Sequence, residues 1–180
     1  MKLYVARHGR TNYNELGLCN SDPKIDVHLN EAGIVQANKL ADLLKKSDIE
    51  QIYVSELRRT EQTASIVNQF HNALITVDAR LNDIRFGSVF EGRHYSEYQA
   101  ALEKTDNKFT ARIDDGESIV DVRLRTQKFL DELKTKDYKS VLVVTSGGVM
   151  QAIYAIIGDH SVEEAWNFRP VNGSYVEFEI

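Results

Sequence analysis

An α/β fold, built on a mostly parallel sheet with helices on both faces, is the architecture this sequence predicts. Short apolar runs alternate along the chain with amphipathic helical patterns, the arrangement that leads strands into parallel neighbours through helical crossovers. The strongest run, Val141-Leu142-Val143-Val144, is apolar at every position, as a strand buried on both faces requires. Only Pro23 and Pro170 occur as prolines, and no Gly/Ser-rich or Pro-rich linker divides the 180 residues, so residues 1–180 are expected to form one domain.

In chain order, Leu3-Tyr4-Val5-Ala6 reads as the first strand. Asn30 is a suitable N-cap for a helix whose apolar stripe is Ile34, Ala37, Leu40, Ala41 and Leu44. Gln51-Ile52-Tyr53-Val54 is the second strand, followed by a helix with Ala64, Val67 and Phe70 on one face. Residues 73–77 form a third strand, and Ile119, Val122, Phe129 and Leu133 fall at helical spacing. After the buried strand at 141–144, a Gly-Gly pair opens a helix carrying Val149, Ile153 and Ile157, and residues 175–179 close the chain as a last strand.

Composition narrows the function. Lys and Arg number 22 against 27 Asp and Glu, a formal charge of −5, which disfavours a non-specific hold on nucleic acid or anionic membrane. Any bound anion must therefore be held by a local group of cations. No run approaches the roughly 20 apolar residues of a membrane span, and charge enters at Arg7, too early for a signal peptide. A reduced, cytoplasmic location is the expectation. The lone Cys19 excludes an internal disulfide framework, and His28, His71 and His160 lack metal-ligand spacing, so neither metal nor cofactor is expected.

Three strands end in polar or glycine-rich clusters: Arg7-His8-Gly9-Arg10-Thr11-Asn12, Ser55-Glu56-Leu57-Arg58-Arg59-Thr60 and Thr145-Ser146-Gly147-Gly148. If those strands are parallel neighbours, the clusters meet at one rim, where α/β sheets bind their ligands. Guanidinium groups, an imidazole and a helix N-terminus with open N–H groups make the inventory of a phosphate site. An imidazole there can attack phosphorus when its proton lies on the nitrogen facing away.

These residues resemble the histidine phosphatase superfamily, which includes the cofactor-dependent phosphoglycerate mutases. Arg7-His8-Gly9-Arg10-Thr11 with Asn14 is similar to its opening motif. Leu29-Asn30-Glu31-Ala32-Gly33 with Gln36-Ala37 matches a second stretch, and residues 55–64 match a third. Phe86-Gly87, Glu91-Gly92, Gly116-Glu117-Ser118 and Asn172-Gly173-Ser174 follow in the family's order. The resemblance implies a three-layer α/β/α sandwich and chemistry through a phosphohistidine. It implies His8 as nucleophile, Asp83 as proton donor, and Arg7, Arg59 and Asn14 as phosphate contacts, while the Ser146 hydroxyl and the backbone N–H of Gly147 are read as further donors to the phosphate. Arg59, not Arg58, keeps the family's spacing to Thr63-Ala64.

The pattern breaks at three positions. Ser146 stands where the family has a second histidine, and a hydroxyl cannot supply imidazolium charge. Asp83 replaces the usual Glu, shortening the acid by one methylene, and Arg10 adds a cation where Glu or Gln is common. The expected function is hydrolysis of a small phosphomonoester, a phosphorylated metabolite, with water as acceptor. The alternatives are a catalytically impaired phosphate-binding protein and a mutase-like activity. The segment 86–115 is expected to act as a lid, with Tyr95, Tyr98 and Phe109 either lining the pocket or packing. His94 reads either as solvent-exposed or as folding over the pocket, and Arg123 and Arg125 read as a solvated helix face. Oligomeric state is left open, a homodimer among the options.

Overall fold

The computed structural model describes residues 1–180 and contains one five-stranded sheet flanked by helices. Its strands are β1 (Lys2–Arg7), β2 (Gln51–Val54), β3 (Leu74–Val77), β4 (Ser140–Thr145) and β5 (Tyr175–Glu179), in the spatial order β3-β2-β4-β1-β5. All pairings are parallel except β1 with β5, which is antiparallel. The helices are α1 (Asn12–Leu16), α2 (Glu31–Leu44), α3 (Arg58–Asn68), α4 (Tyr95–Leu102), α5 (Ile119–Leu133), α6 (Gly147–Ile157) and α7 (Val162–Asn167). No helix is long and apolar enough to cross a membrane.

Successive side chains of a strand point to opposite faces, and the two central strands divide their apolar residues accordingly. Leu3, Val5, Val141 and Val143 pack with Leu130 and Ile153 in one core, whereas Tyr4, Ala6, Leu142 and Val144 pack with Leu40, Leu44, Ile52 and Ala64 in another. The expected three layers follow: α5 and α6 cover one face, α2 and α3 the other.

Two expected core residues lie outside. Ile34 is 46% exposed, because the residue facing inward at that turn of α2 is Gly33, whose backbone meets that of Arg10. Phe70 is 48% exposed, since α3 stops at Asn68 and Phe70 falls in the following turn. The third strand starts one residue later than expected. Ala73 is instead held at both its N–H and its carbonyl by the Asn68 side chain, at 2.8 and 2.9 Å.

Neighbouring parallel strands β2, β4 and β1 end at the same edge of the sheet, so the three polar clusters do converge. A smaller core of Cys19, Phe86, Phe90, Tyr98 and Leu102 anchors α4 and its flanking loops beside that edge.

Candidate active site

His8 follows β1 directly and is 2% exposed. Its Nδ1 lies 2.7 Å from the carbonyl oxygen of Gly9, and its Nε2 lies 3.0 Å from Nε of Arg59. A carbonyl only accepts and a guanidinium only donates. The proton is therefore on Nδ1, and Nε2 presents its lone pair. Burial, with Arg59 and Arg7 adding to it, holds the imidazole pKa well below its usual 6.5 and keeps the ring neutral.

Arg59 lies in the first turn of α3 and is buried, while its neighbour Arg58 is exposed and pairs with Glu61 at 2.6 Å. The family spacing thus selects the arginine that reaches inward. Beyond His8, the Arg59 guanidinium donates to the side-chain oxygen of Asn20 and, at 3.0 Å, to the Asn20 carbonyl. It also stands 3.7 Å from Oδ2 of Asp83. Asn20 is in turn held by Glu91, which takes the Asn20 amide at 3.1 Å and the Ser21 N–H at 2.9 Å. The Gly9 N–H donates to Oγ1 of Thr63 at 3.0 Å, tying the loop after β1 to the helix that carries Arg59.

Arg7 spans from the end of β1 to the Pro170 carbonyl, which its Nη1 reaches at 2.8 Å. Its Nε is buried without a partner, and so is Oγ of Ser146. Ser146 occupies the N-cap position of α6, yet its side chain makes no capping bond. A Cβ placed on Gly147 would stand 3.5 Å from Nε of Arg7, and one on Gly148 would stand 3.5 Å from Oδ1 of Asp83. The open first turn of α6 therefore lies between the guanidinium and the carboxylate, with its N–H groups unsatisfied within the helix.

Asn14 has a divided role. Its Oδ1 closes a capping box with Thr11 at the start of α1, accepting the Thr11 N–H at 3.1 Å. That leaves the amide hydrogens on Nδ2 for the cavity that Asn14 lines. Asn172, unassigned in the sequence, donates to the His8 carbonyl at 3.1 Å and fixes the same loop from the C-terminal side.

Two expectations need correction. Arg125 is not on a solvated face: it forks onto Glu117 at 3.0 Å and donates to the backbone carbonyls of Arg80, at 2.6 Å, and Asp83, at 3.1 Å. It thereby clamps the loop bearing Asp83. Arg123 is half-buried and lines the cavity. Helical spacing held this signal, because Ile119, Val122, Arg123 and Thr126 share one side of α5. Of the two readings of His94, the exposed one holds: its Nδ1 meets Oγ of Ser96 at 2.7 Å as it caps α4. Tyr95 and Tyr98 line the cavity, but Phe109 packs edge-on against Trp166 with ring centres 6.0 Å apart. Asn20 and Glu91 were not singled out for this network. Glu91 at least lay in a recognisable Glu-Gly pair, whereas Asn20 carries no local signal.

These groups form one end of a cavity of about 580 Å³. Comparison with known proteins gives the arrangement a context. Residues 3–180 match the family model of the histidine phosphatase superfamily, branch 1. Phosphoserine phosphatase 1 of Hydrogenobacter thermophilus is 28% identical over 97% of this chain and 84% of its own length. The crystal structure of the alpha-ribazole phosphatase from Shigella flexneri superposes with a TM-score of 0.87 at 27% identity, covering 100% of this chain and 91% of that one. A mycobacterial glucosyl-3-phosphoglycerate phosphatase superposes with a TM-score of 0.83 at 26% identity, over 98% of this chain and 90% of the other. With its motifs in order and its strand-end clusters brought to one rim, the chain belongs to branch 1 of the histidine phosphatase superfamily.

Proposed function

We propose that this protein is a phosphatase that hydrolyses a small phosphomonoester through a phosphohistidine on His8. The observation that carries this reading is the pair of contacts on the His8 ring. The Gly9 carbonyl accepts the hydrogen bond of Nδ1–H, and the Arg59 Nε–H donates to the Nε2 lone pair. A neutral imidazole with a fixed tautomer is the nucleophile that phosphorus requires.

The substrate phosphate binds against Arg7 and Arg59, the Asn14 amide and the first N–H groups of α6 at Gly147, and Ser146 donates its hydroxyl. The two orphaned atoms, Nε of Arg7 and Oγ of Ser146, support this placement, because buried polar groups ordinarily have partners. Phosphate binding turns the Arg59 donor from Nε2 toward a phosphate oxygen and frees the lone pair. Nε2 then bonds to phosphorus as the ester P–O bond breaks, and protonated Asp83 passes its proton to the departing alkoxide. The cations stabilise charge spread over the equatorial oxygens. In the second step the Asp83 carboxylate takes a proton from water, the hydroxide oxygen bonds to phosphorus, and the P–N bond returns its electrons to His8. Inorganic phosphate leaves, and no metal takes part. The segment 86–115, which brings Tyr95 and Tyr98 to the cavity wall, selects the alcohol as a lid.

Phosphate binding without turnover is the second reading. It is favoured by Ser146 at the second-histidine position and by His94 lying outside the pocket. One assay separates the two. Incubation with p-nitrophenyl phosphate, quenched in base, is expected to yield an acid-labile phosphoprotein and steady release of phosphate, both lost in His8→Ala. Stoichiometric binding with neither product establishes the second reading instead.

A further inference from the structure

The same cavity is also lined by residues of α5, α6 and α7, and its lining combines two features. One is apolar: Ile84, Phe86, Tyr95, Val122 and Trp166 line it. The other is an unbalanced positive charge. In a chain with more acids than bases, most arginines pair with carboxylates, as Arg80 does with Asp78 and Arg112 with Asp121, each at 2.6 Å. Arg7, Arg85, Arg123 and Arg169 have no such partner, and all of these except Arg85 line the cavity. Arg7 serves the phosphate, which leaves Arg123 and Arg169 unassigned.

Arg169 is held in place at the wall. Its guanidinium carbon lies 4.9 Å from the centre of the Trp166 ring, a cation–π arrangement that orients the group. The backbone on both sides is tied down, since Gln151 donates to the Phe168 carbonyl at 2.7 Å and Arg7 to the Pro170 carbonyl at 2.8 Å. Arg169 is thus one residue from the carbonyl gripped by the phosphate-end arginine. Tyr98, also on the wall, has a buried hydroxyl without a hydrogen-bond partner. The 580 Å³ volume falls among cavities that enclose ligands much larger than a phosphorylated three-carbon acid.

We infer that the alcohol portion of the substrate is bulky and largely apolar, and carries a second anionic group that Arg123 and Arg169 receive. This rests on the phosphatase reading above and names its substrate class. Either a carboxylate or a further phosphate would satisfy the guanidinium forks, as both accept paired N–H donors.

Matched probes test it by binding and by turnover separately. The binding pair is naphthylmethyl phosphonate, which cannot be hydrolysed, and its carboxylated counterpart, measured by calorimetry. A version bearing a second phosphonate distinguishes the two anion sources. The turnover set is naphthyl phosphate, carboxynaphthyl phosphate and O-phosphoserine. At least one of the two added anions is expected to tighten binding by about tenfold or more, the worth of a charge-assisted contact. That advantage is expected to fall below about threefold in the Arg123→Gln, Arg169→Gln double variant. kcat/KM is expected to favour carboxynaphthyl phosphate over O-phosphoserine if the carboxylate is the preferred anion. Equal affinity for all the phosphonates, or an advantage that survives in the double variant, overturns the inference even if every ester is hydrolysed. Charge-selective binding with no turnover of any ester leaves the anion subsite standing and overturns hydrolysis alone.

Discussion

Arg59 donates its Nε hydrogen to Nε2 of His8 across 3.0 Å, so a buried cation holds a buried imidazole by its lone pair. The contact makes protonation of that ring costly, and its consequence for pH can be worked out. The unfolded chain takes up a proton on this histidine near the ordinary value of about 6.5. The folded chain does so only at lower pH, because burial first and then Arg59 and Arg7 oppose the charge. The resulting stability is complete above about pH 6.5 and is lost as pH falls toward the folded value. Proton NMR of the His8 ring is expected to show no inflection near 6.5, and Arg59→Gln is expected to move its midpoint upward. Titration of the parent ring at the ordinary histidine value contradicts the arrangement.

Asp83 as proton donor predicts a dependence on the leaving group. Asp83→Asn is expected to lower kcat for an alkyl phosphate by about 10²- to 10⁴-fold, the usual worth of general acid catalysis. For p-nitrophenyl phosphate, whose leaving group needs little protonation, the loss is expected to be far smaller. Arg125→Ala, which releases the Asp83 carbonyl, is expected to show the same split in weaker form with KM little changed. Equal losses on both esters would remove Asp83 from this role.

Ser146 has a buried hydroxyl that no protein group satisfies. Removing an unpaired buried hydroxyl is nearly neutral or mildly stabilising, so Ser146→Ala is expected to change urea stability by less than about 1 kcal/mol. If the hydroxyl serves the phosphate, the same variant weakens inorganic phosphate binding several-fold, read by calorimetry. Ser146→His adds a positioned donor and charge, and a turnover gain of about tenfold or more is expected. A large stability loss in Ser146→Ala, with phosphate affinity intact, shows a packing role instead.

Gly33 faces the backbone of Arg10 in the loop carrying His8. A Cβ there would collide with the Arg10 carbonyl oxygen and stand 2.7 Å from its amide nitrogen. Backbone cannot swing aside as a flexible side chain does. Gly33→Ala is therefore expected to cost about 2 kcal/mol or more in urea denaturation, despite the better helix propensity of alanine. An unchanged midpoint shows that α2 and the loop can separate freely.

Much of this site was legible locally. Arg7, His8 and Arg59 announced themselves by following apolar strands inside long motifs, and Arg59 was distinguished from Arg58 by its spacing to Thr63. The strands β1, β2 and β4 were readable for the same reason, since burial on both faces leaves an almost uninterrupted apolar run. Edge strand β3 was less sharp at its start, where Asn68 supplies the hydrogen bonds to Ala73 that a neighbouring strand would otherwise make. Arg125 was misread because a single helix shows which side a residue is on but not which carboxylate or carbonyl lies opposite.

What the sequence determined by itself is the alternation of strands and helices, the candidate nucleophile and cations at the strand ends, and the absence of a histidine at position 146. These are carried by periodicity and by residues close along the chain. Tertiary structure alone decided the His8 tautomer, the Asn20–Glu91 support of Arg59, the clamp on Asp83 and the placing of Arg123 and Arg169 on the lining of one cavity. Each of those joins side chains or carbonyls brought together from distant segments. Their contacts follow from the crossing order of the strands and the packing of helices on two faces, which no local pattern encodes.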